Sequence, residues 1–135
     1  YRDEDFEEAI KAATNKGGVD VILDMVGGDY VAKNIRLLAP EGRLVFIAFL
    51  KGSKAEVDFN RVLRHRLKIM GSTLRPQSVA AKGKIAEHLR QTVWPLLDSG
   101  AVQPIIDSRF PLSDAAGAHA LMESSTHMGK FLLTT

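Results

Sequence analysis

Short apolar runs and helical stripes alternate along this sequence. Val19-Asp20-Val21-Ile22-Leu23-Asp24 is a brief run rich in β-branched residues, and it leads directly into Met25-Val26-Gly27-Gly28. From about residue 30 to residue 38, Val31, Ile35 and Leu38 fall on one helical face, with Asp29 placed to cap the first turn. Pro40-Glu41-Gly42 stops that helix. The stretch 43–49 is almost wholly apolar, as a parallel strand covered on both sides would be. Strand, glycine turn, helix, stop and strand make a βαβ crossover, so the two strands are expected to run parallel. Ligands of such sheets sit beyond the carboxyl ends of the strands. Here those ends are 24–28 and 47–52.

The flanks continue the alternation. Upstream, Phe6, Ile10 and Ala13 share a helical face, and the carboxylates Asp3, Glu4, Asp5, Glu7 and Glu8 suit the positive end of its dipole. They are expected to form a solvated first turn rather than a metal site. Asn15-Lys16-Gly17-Gly18 closes the helix. Downstream, Lys51-Gly52-Ser53-Lys54 is a loop, and Phe59, Val62 and Leu63 mark a short helix ending at Arg64-His65-Arg66. Residues 67–73 alternate as a third strand. Pro76 breaks the chain before its longest helix, 79–97, whose stripe is Ile85, Leu89, Val93, Leu96 and Leu97. Pro95 is expected to end or kink that helix. The tail reads as a strand over 103–110, a helix capped by Ser113-Asp114 and a last strand over 129–135. This ending lacks a third strand of its own, so it is expected to belong to another layer or domain.

Composition narrows the function classes. The 135 residues suit one domain and bury about two-thirds of the surface of the unfolded chain. Eighteen basic residues against sixteen acidic ones leave a net charge of +2, too balanced to argue for nucleic acid. The aromatic residues are too few and scattered to stack bases. Cysteine is absent, which removes disulfides, thiol nucleophiles and cysteine metal sites. With no signal peptide and no apolar run of about 18 residues, a soluble cytoplasmic protein without membrane contact is expected. The opening Tyr1-Arg2, without an initiator methionine, suggests a piece of something longer. No G-x-G-x-x-G, Walker A or G-x-S-x-G motif occurs, and His65, His88, His119 and His127 lack metal-ligand spacing. The residues by themselves therefore lead to half of a doubly wound α/β domain, a partial Rossmann-like parallel sheet flanked by helices.

Several segments add a resemblance. They are Tyr1-Arg2-Asp3-Glu4-Asp5-Phe6, the run from Gly18 through Val19 and Asp24 to Gly28, and Leu38-Ala39-Pro40-Glu41-Gly42-Arg43-Leu44-Val45. Gly71-Ser72-Thr73-Leu74-Arg75 and His127-Met128-Gly129-Lys130-Phe131-Leu132-Leu133 follow in the same order. Together they make nearly the whole chain resemble the later half of the zeta-crystallin-like NADPH:quinone oxidoreductases, in the medium-chain dehydrogenase/reductase superfamily. The resemblance implies that residues 1–101 are the last part of a nucleotide-binding Rossmann domain. Residues 102–135 would return to a GroES-like catalytic domain. The family's glycine-rich pyrophosphate loop, and the zinc ligands of its zinc-binding members, would lie upstream of Tyr1.

For the cofactor, the resemblance implies NADPH. Tyr1 would lie beside the adenosine ribose phosphate, and Met25, Val26 and Gly27 would form the loop that the dinucleotide approaches. Ile47, Ala48 and Phe49 would flank the nicotinamide, although glycine is common in the family near Ala48. Gly129 and Lys130 match a C-terminal Gly-Lys pair near the cofactor, and His127-Met128 departs from the commoner asparagine-containing form. The implied reaction is hydride transfer to a quinone or an α,β-unsaturated carbonyl, with no catalytic residue and no metal ligand in this stretch. The chain alone is accordingly expected to be inert. A homodimer through the edge strand 67–73 is also implied.

Two other readings stand beside this one. An S-adenosylmethionine-dependent methyltransferase-like domain also has an acidic strand end and a Pro-Gly-type turn, but it finishes on an antiparallel hairpin, where this chain has a long helix. A non-enzymatic Rossmann-fold interaction domain would keep the fold without the chemistry.

Overall fold

Apolar β-branched residues in Val19–Asp24 (β1) and the run Leu38–Phe46 (β2) pair in parallel, connected by the helix Tyr30–Leu37 (α2). Lys68–Gly71 (β3) adds to the far side of β2, also parallel, giving the order β1-β2-β3. This computed structural model describes residues 4–14 and 18–135. The chain divides into two compact units, residues 1–77 and 78–135, and each has its own architecture.

In the first unit the two faces of the sheet differ, because successive strand residues point to opposite sides. Ile22, Leu44 and Ile69 share one row, and the core of Ile35, Leu38, Leu44 and Leu67 forms on that side with Val31, Val57 and Val62 packed against it. Leu23, Val45 and Met70 share the opposite row, where Leu23 is 60% exposed and Met70 42% exposed. On β2 itself, expected to be covered on both sides, Leu44 is buried on the first side and Val45 is half-buried on the other.

Strand β2 starts five residues earlier than the sequence pattern predicts and ends three earlier. Pro40-Glu41-Gly42 is not a stop outside the strand but an irregularity within it. Asp20 alone on β1 faces residues 39–42 on β2, and Glu41 turns the backbone at φ 64°. Residues 47–49 leave the sheet and become the loop that follows it.

Helix Phe6–Ala13 (α1) is capped by Asp5, whose carboxylate accepts the Glu7 N–H at 2.8 Å. Its first turn is not fully solvated as expected. Glu7 is buried, and Arg36 on α2 donates to it from Nη2 at 2.7 Å and from Nε at 2.9 Å. Lys33 reaches Asp5 at 2.7 Å, and the Phe6 ring stacks on Tyr30 at 4.8 Å. Helix Asn60–His65 (α3) ends in a left-handed Arg66, φ 53°. From α3, Arg61 donates to the carbonyls of Ile35 at 3.0 Å and Leu38 at 2.9 Å, covering acceptors that the end of α2 leaves open.

The second unit begins with Val79–Thr92 (α4), capped by Ser78 accepting from the Ala81 N–H at 3.1 Å. The single helix predicted over 79–97 is two. A shorter helix, Trp94–Asp98 (α5), follows because Pro95 has no N–H for the preceding turn. Ile106–Pro111 (β4) and Lys130–Thr134 (β5) pair in parallel across Ala115–Ser124 (α6), which Asp114 caps through the Gly117 N–H at 3.3 Å. The strand–helix–strand tail is thus a second βαβ unit with a two-stranded sheet.

Candidate functional site

Asp24 closes β1 and is only 3% exposed. Its Oδ1 accepts the N–H groups of Val26 at 2.6 Å and Gly27 at 3.0 Å, and its Oδ2 accepts from Asn34 Nδ2 at 3.0 Å. The chain then turns through Gly27, φ 69°, and Gly28, φ 55°, into α2. A side chain at Gly27 would collide with the Gly52 carbonyl oxygen and the Phe49 ring, so glycine is demanded here by the neighbouring loop.

That loop is the one following β2, and backbone bonds join the two. Ile47 N donates to Asp24 O at 2.9 Å, Leu50 N to Met25 O at 3.1 Å, Lys51 N to Val26 O at 2.8 Å and Gly28 N to Gly52 O at 2.9 Å. Lys51 also lies over the Tyr30 ring, 4.8 Å from its centre. At the end of β3, Ser72 N donates to Phe46 O at 2.8 Å. All three strand ends are thereby tied at one edge of the sheet.

A cleft of about 470 Å³ opens there, lined by Phe46, Ile47, Ala48, Phe49, Gly71, Ser72 and Thr73. Its wall is apolar apart from backbone groups and the two hydroxyls. No titratable side chain lines it, so it suits holding a flat, partly polar ring better than moving a proton.

Of the residues expected at the cofactor, Ile47, Ala48 and Phe49 line this cleft, and Met25, Val26 and Gly27 form the adjoining loop bonded to it. Gly129 and Lys130 belong to the second unit, where Gly129 has φ 105° and Lys130 N donates to Ile105 O at 2.9 Å. Tyr1 lies outside the described residues. Sequence reading passes over Asp24, Asn34, Ser72 and Thr73 as site residues. The one clue is a polar Asn34 three residues after Val31, on the apolar face of α2.

Residues 1–133 match the family model described as zinc-binding dehydrogenase. Quinone oxidoreductase-like protein 2 of Bos taurus is 31% identical over 131 residues, covering 95% of this chain and 36% of the relative. A highly reducing polyketide synthase of Gibberella zeae, PKS6, is 30% identical over 133 residues, covering 96% of this chain and 5% of the relative. Among solved structures, the quinone oxidoreductase of Thermus thermophilus, also solved in complex with NADPH, aligns with a TM-score of 0.74 and 28% identity, over 93% of this chain and 40% of that one. This chain therefore spans well under half the length of these relatives.

The family description names zinc, which takes a cluster of Cys, His, Asp or Glu ligands. The chain has no cysteine, and among the described residues no three of His, Asp and Glu cluster to hold a metal ion. The described residues do not fit a zinc site.

Proposed function

Because this chain belongs to the zinc-binding dehydrogenase family, as the C-terminal portion of a quinone oxidoreductase-like member of the medium-chain dehydrogenase/reductase superfamily, we propose that its 24–28 and 47–52 loops hold the nicotinamide end of NADPH. The observation that carries this is the tied strand ends beside an apolar cleft without titratable groups. A ligand of a parallel sheet belongs at that edge.

In this reading Ile47, Ala48 and Phe49 flank the nicotinamide ring, while Met25, Val26 and Gly27 keep the neighbouring backbone close to the dinucleotide. Residues 1–101 are the nucleotide-binding part in this reading, and residues 102–135 the return segment to the catalytic domain. When bound, the cofactor supplies a hydride to a carbon of a quinone or an α,β-unsaturated carbonyl, whose oxygen gains negative charge and then a proton. This chain's residues orient and desolvate the ring. Proton delivery falls to other parts of the enzyme or to solvent, so the segment alone gives no turnover. The edge strand around 67–73 joins two copies.

Calorimetric titration of NADPH, and separately NADH, into this chain tests the reading. Tighter binding of NADPH supports it. Preference for NADH removes the adenosine phosphate from the account, and no heat with either cofactor overturns the claim that these loops hold it by themselves, leaving the affinity to the upstream glycine-rich loop.

A further inference from the structure

A carboxylate at the end of β1 is seldom so deeply buried without a cation. Among the described residues Asp24 has none: its three partners are the Val26 and Gly27 amides and the Asn34 side chain. Asn34 is itself only 5% exposed. One oxygen of Asp24 thus serves the loop and the other serves α2.

We infer that Asp24 and Asn34 are positioning residues that set the 25–28 loop for the cofactor, an inference that rests on the cofactor reading of that loop. Two adjacent glycines with positive φ have more conformations to lose than any other pair of residues, so this turn does not hold its shape by itself. The Asp24 carboxylate draws the Val26 and Gly27 N–H groups inward. Their carbonyl sides are then turned toward the neighbouring loop and the start of α2, where Val26 O accepts from Lys51 and Gly27 O from Tyr30. Asn34 fixes the carboxylate's rotation from a rigid helix. A shift of the Asp24 side chain therefore moves Met25, Val26 and Gly27, and through Lys51 and Gly52 it moves the loop that lines the cleft.

This arrangement can be inverted chemically. Exchanging the two residues, Asp24→Asn with Asn34→Asp, keeps an oxygen for the two amides and an N–H···O bond between the side chains, with donor and acceptor reversed. Asn34→Asp alone instead sets two carboxylates against each other in a buried place.

The test reads amide hydrogen exchange at Val26 and Gly27 and the affinity for NADPH, with thermal unfolding as the control for folding. In Asn34→Asp, exchange at both amides quickens and NADPH binding weakens, each by about tenfold or more, the size of losing one buried polar partner. The exchanged pair returns both to within about threefold of the wild-type chain. Should Asn34→Asp fail to fold, Asn34→Ala gives the same reading from loss of the single donor. A folded Asn34 variant with wild-type exchange and affinity overturns the inference. So does a folded exchanged pair that stays as defective as the single variant. A wild-type chain that binds neither NADPH nor NADH fails the reading that these loops hold the cofactor by themselves, and amide exchange still judges the positioning role.

Discussion

A methyl group at Gly27 would meet the Gly52 carbonyl and the Phe49 ring, on a backbone already at φ 69°. Gly27→Ala is therefore expected to cost about 2 kcal/mol or more, from left-handed strain together with collision, read as a lower urea midpoint. Glu7 makes the opposite lesson, because a carboxylate that reads as solvated is buried against Arg36. That guanidinium, foremost through its hydrogen bonds, and then Lys11 hold the Glu7 carboxyl at about 2, against an ordinary 4.5, despite the opposing effect of burial. The folded pKa lies below the unfolded one, so the stabilisation is complete above about pH 4.5 and is lost as pH falls toward 2. Thermal unfolding between those values should show the wild-type midpoint falling more steeply than that of Glu7→Gln. Equal slopes would reject the role. Gly27 was legible as a turn because a glycine pair directly after an apolar run marks the end of a strand. Glu7 was not, because its partner lies 29 residues away on another helix.

Elements were legible in kind more than in extent. The helix after β1 appears where its apolar spacing predicts, and both βαβ crossovers are parallel. The extent of β2 escaped the sequence because Pro40-Glu41-Gly42 carries the usual marks of a stop, whereas pairing with β1 on both sides of it keeps the segment in the sheet. Asp29 sits at the start of α2 without making a capping hydrogen bond. The other end of α2 relies on Arg61, whose guanidinium bridges the Ile35 and Leu38 carbonyls from α3. Arg61→Ala should cost about 1–3 kcal/mol, as loss of charge-assisted bonds to partly buried acceptors does. Arg61→Lys should recover little, because an ammonium lacks the planar fork that reaches two carbonyls at once. Denaturant midpoints of both variants measure this, and a lysine variant as stable as the wild type would contradict it.

At the scale of the whole molecule, β3 leaves one edge without a strand partner among the described residues. An uncovered strand edge is a template for a second copy. On the proposed association through 67–73, sedimentation of the chain at rising concentration should approach twice the 14.8 kDa mass. Monomer at every concentration would reject it. The two units, 1–77 and 78–135, differ from the proposed 1–101 and 102–135 division in their criterion. One records where the chain is compact by itself, the other where a domain would end in a longer enzyme.

Residue order alone specifies the α/β fold class and the two loops that follow the first two strands. Hydrophobic periodicity and the glycine turn depend on neighbours a few residues apart, so the order of residues is enough to single out 24–28 and 47–52. What holds those loops in shape comes from packing between elements. Asp24, Asn34, Arg61 and Glu7 are polar residues whose roles come from partners on other elements, and burial gives those hydrogen bonds their weight. Linear spacing carries no record of either.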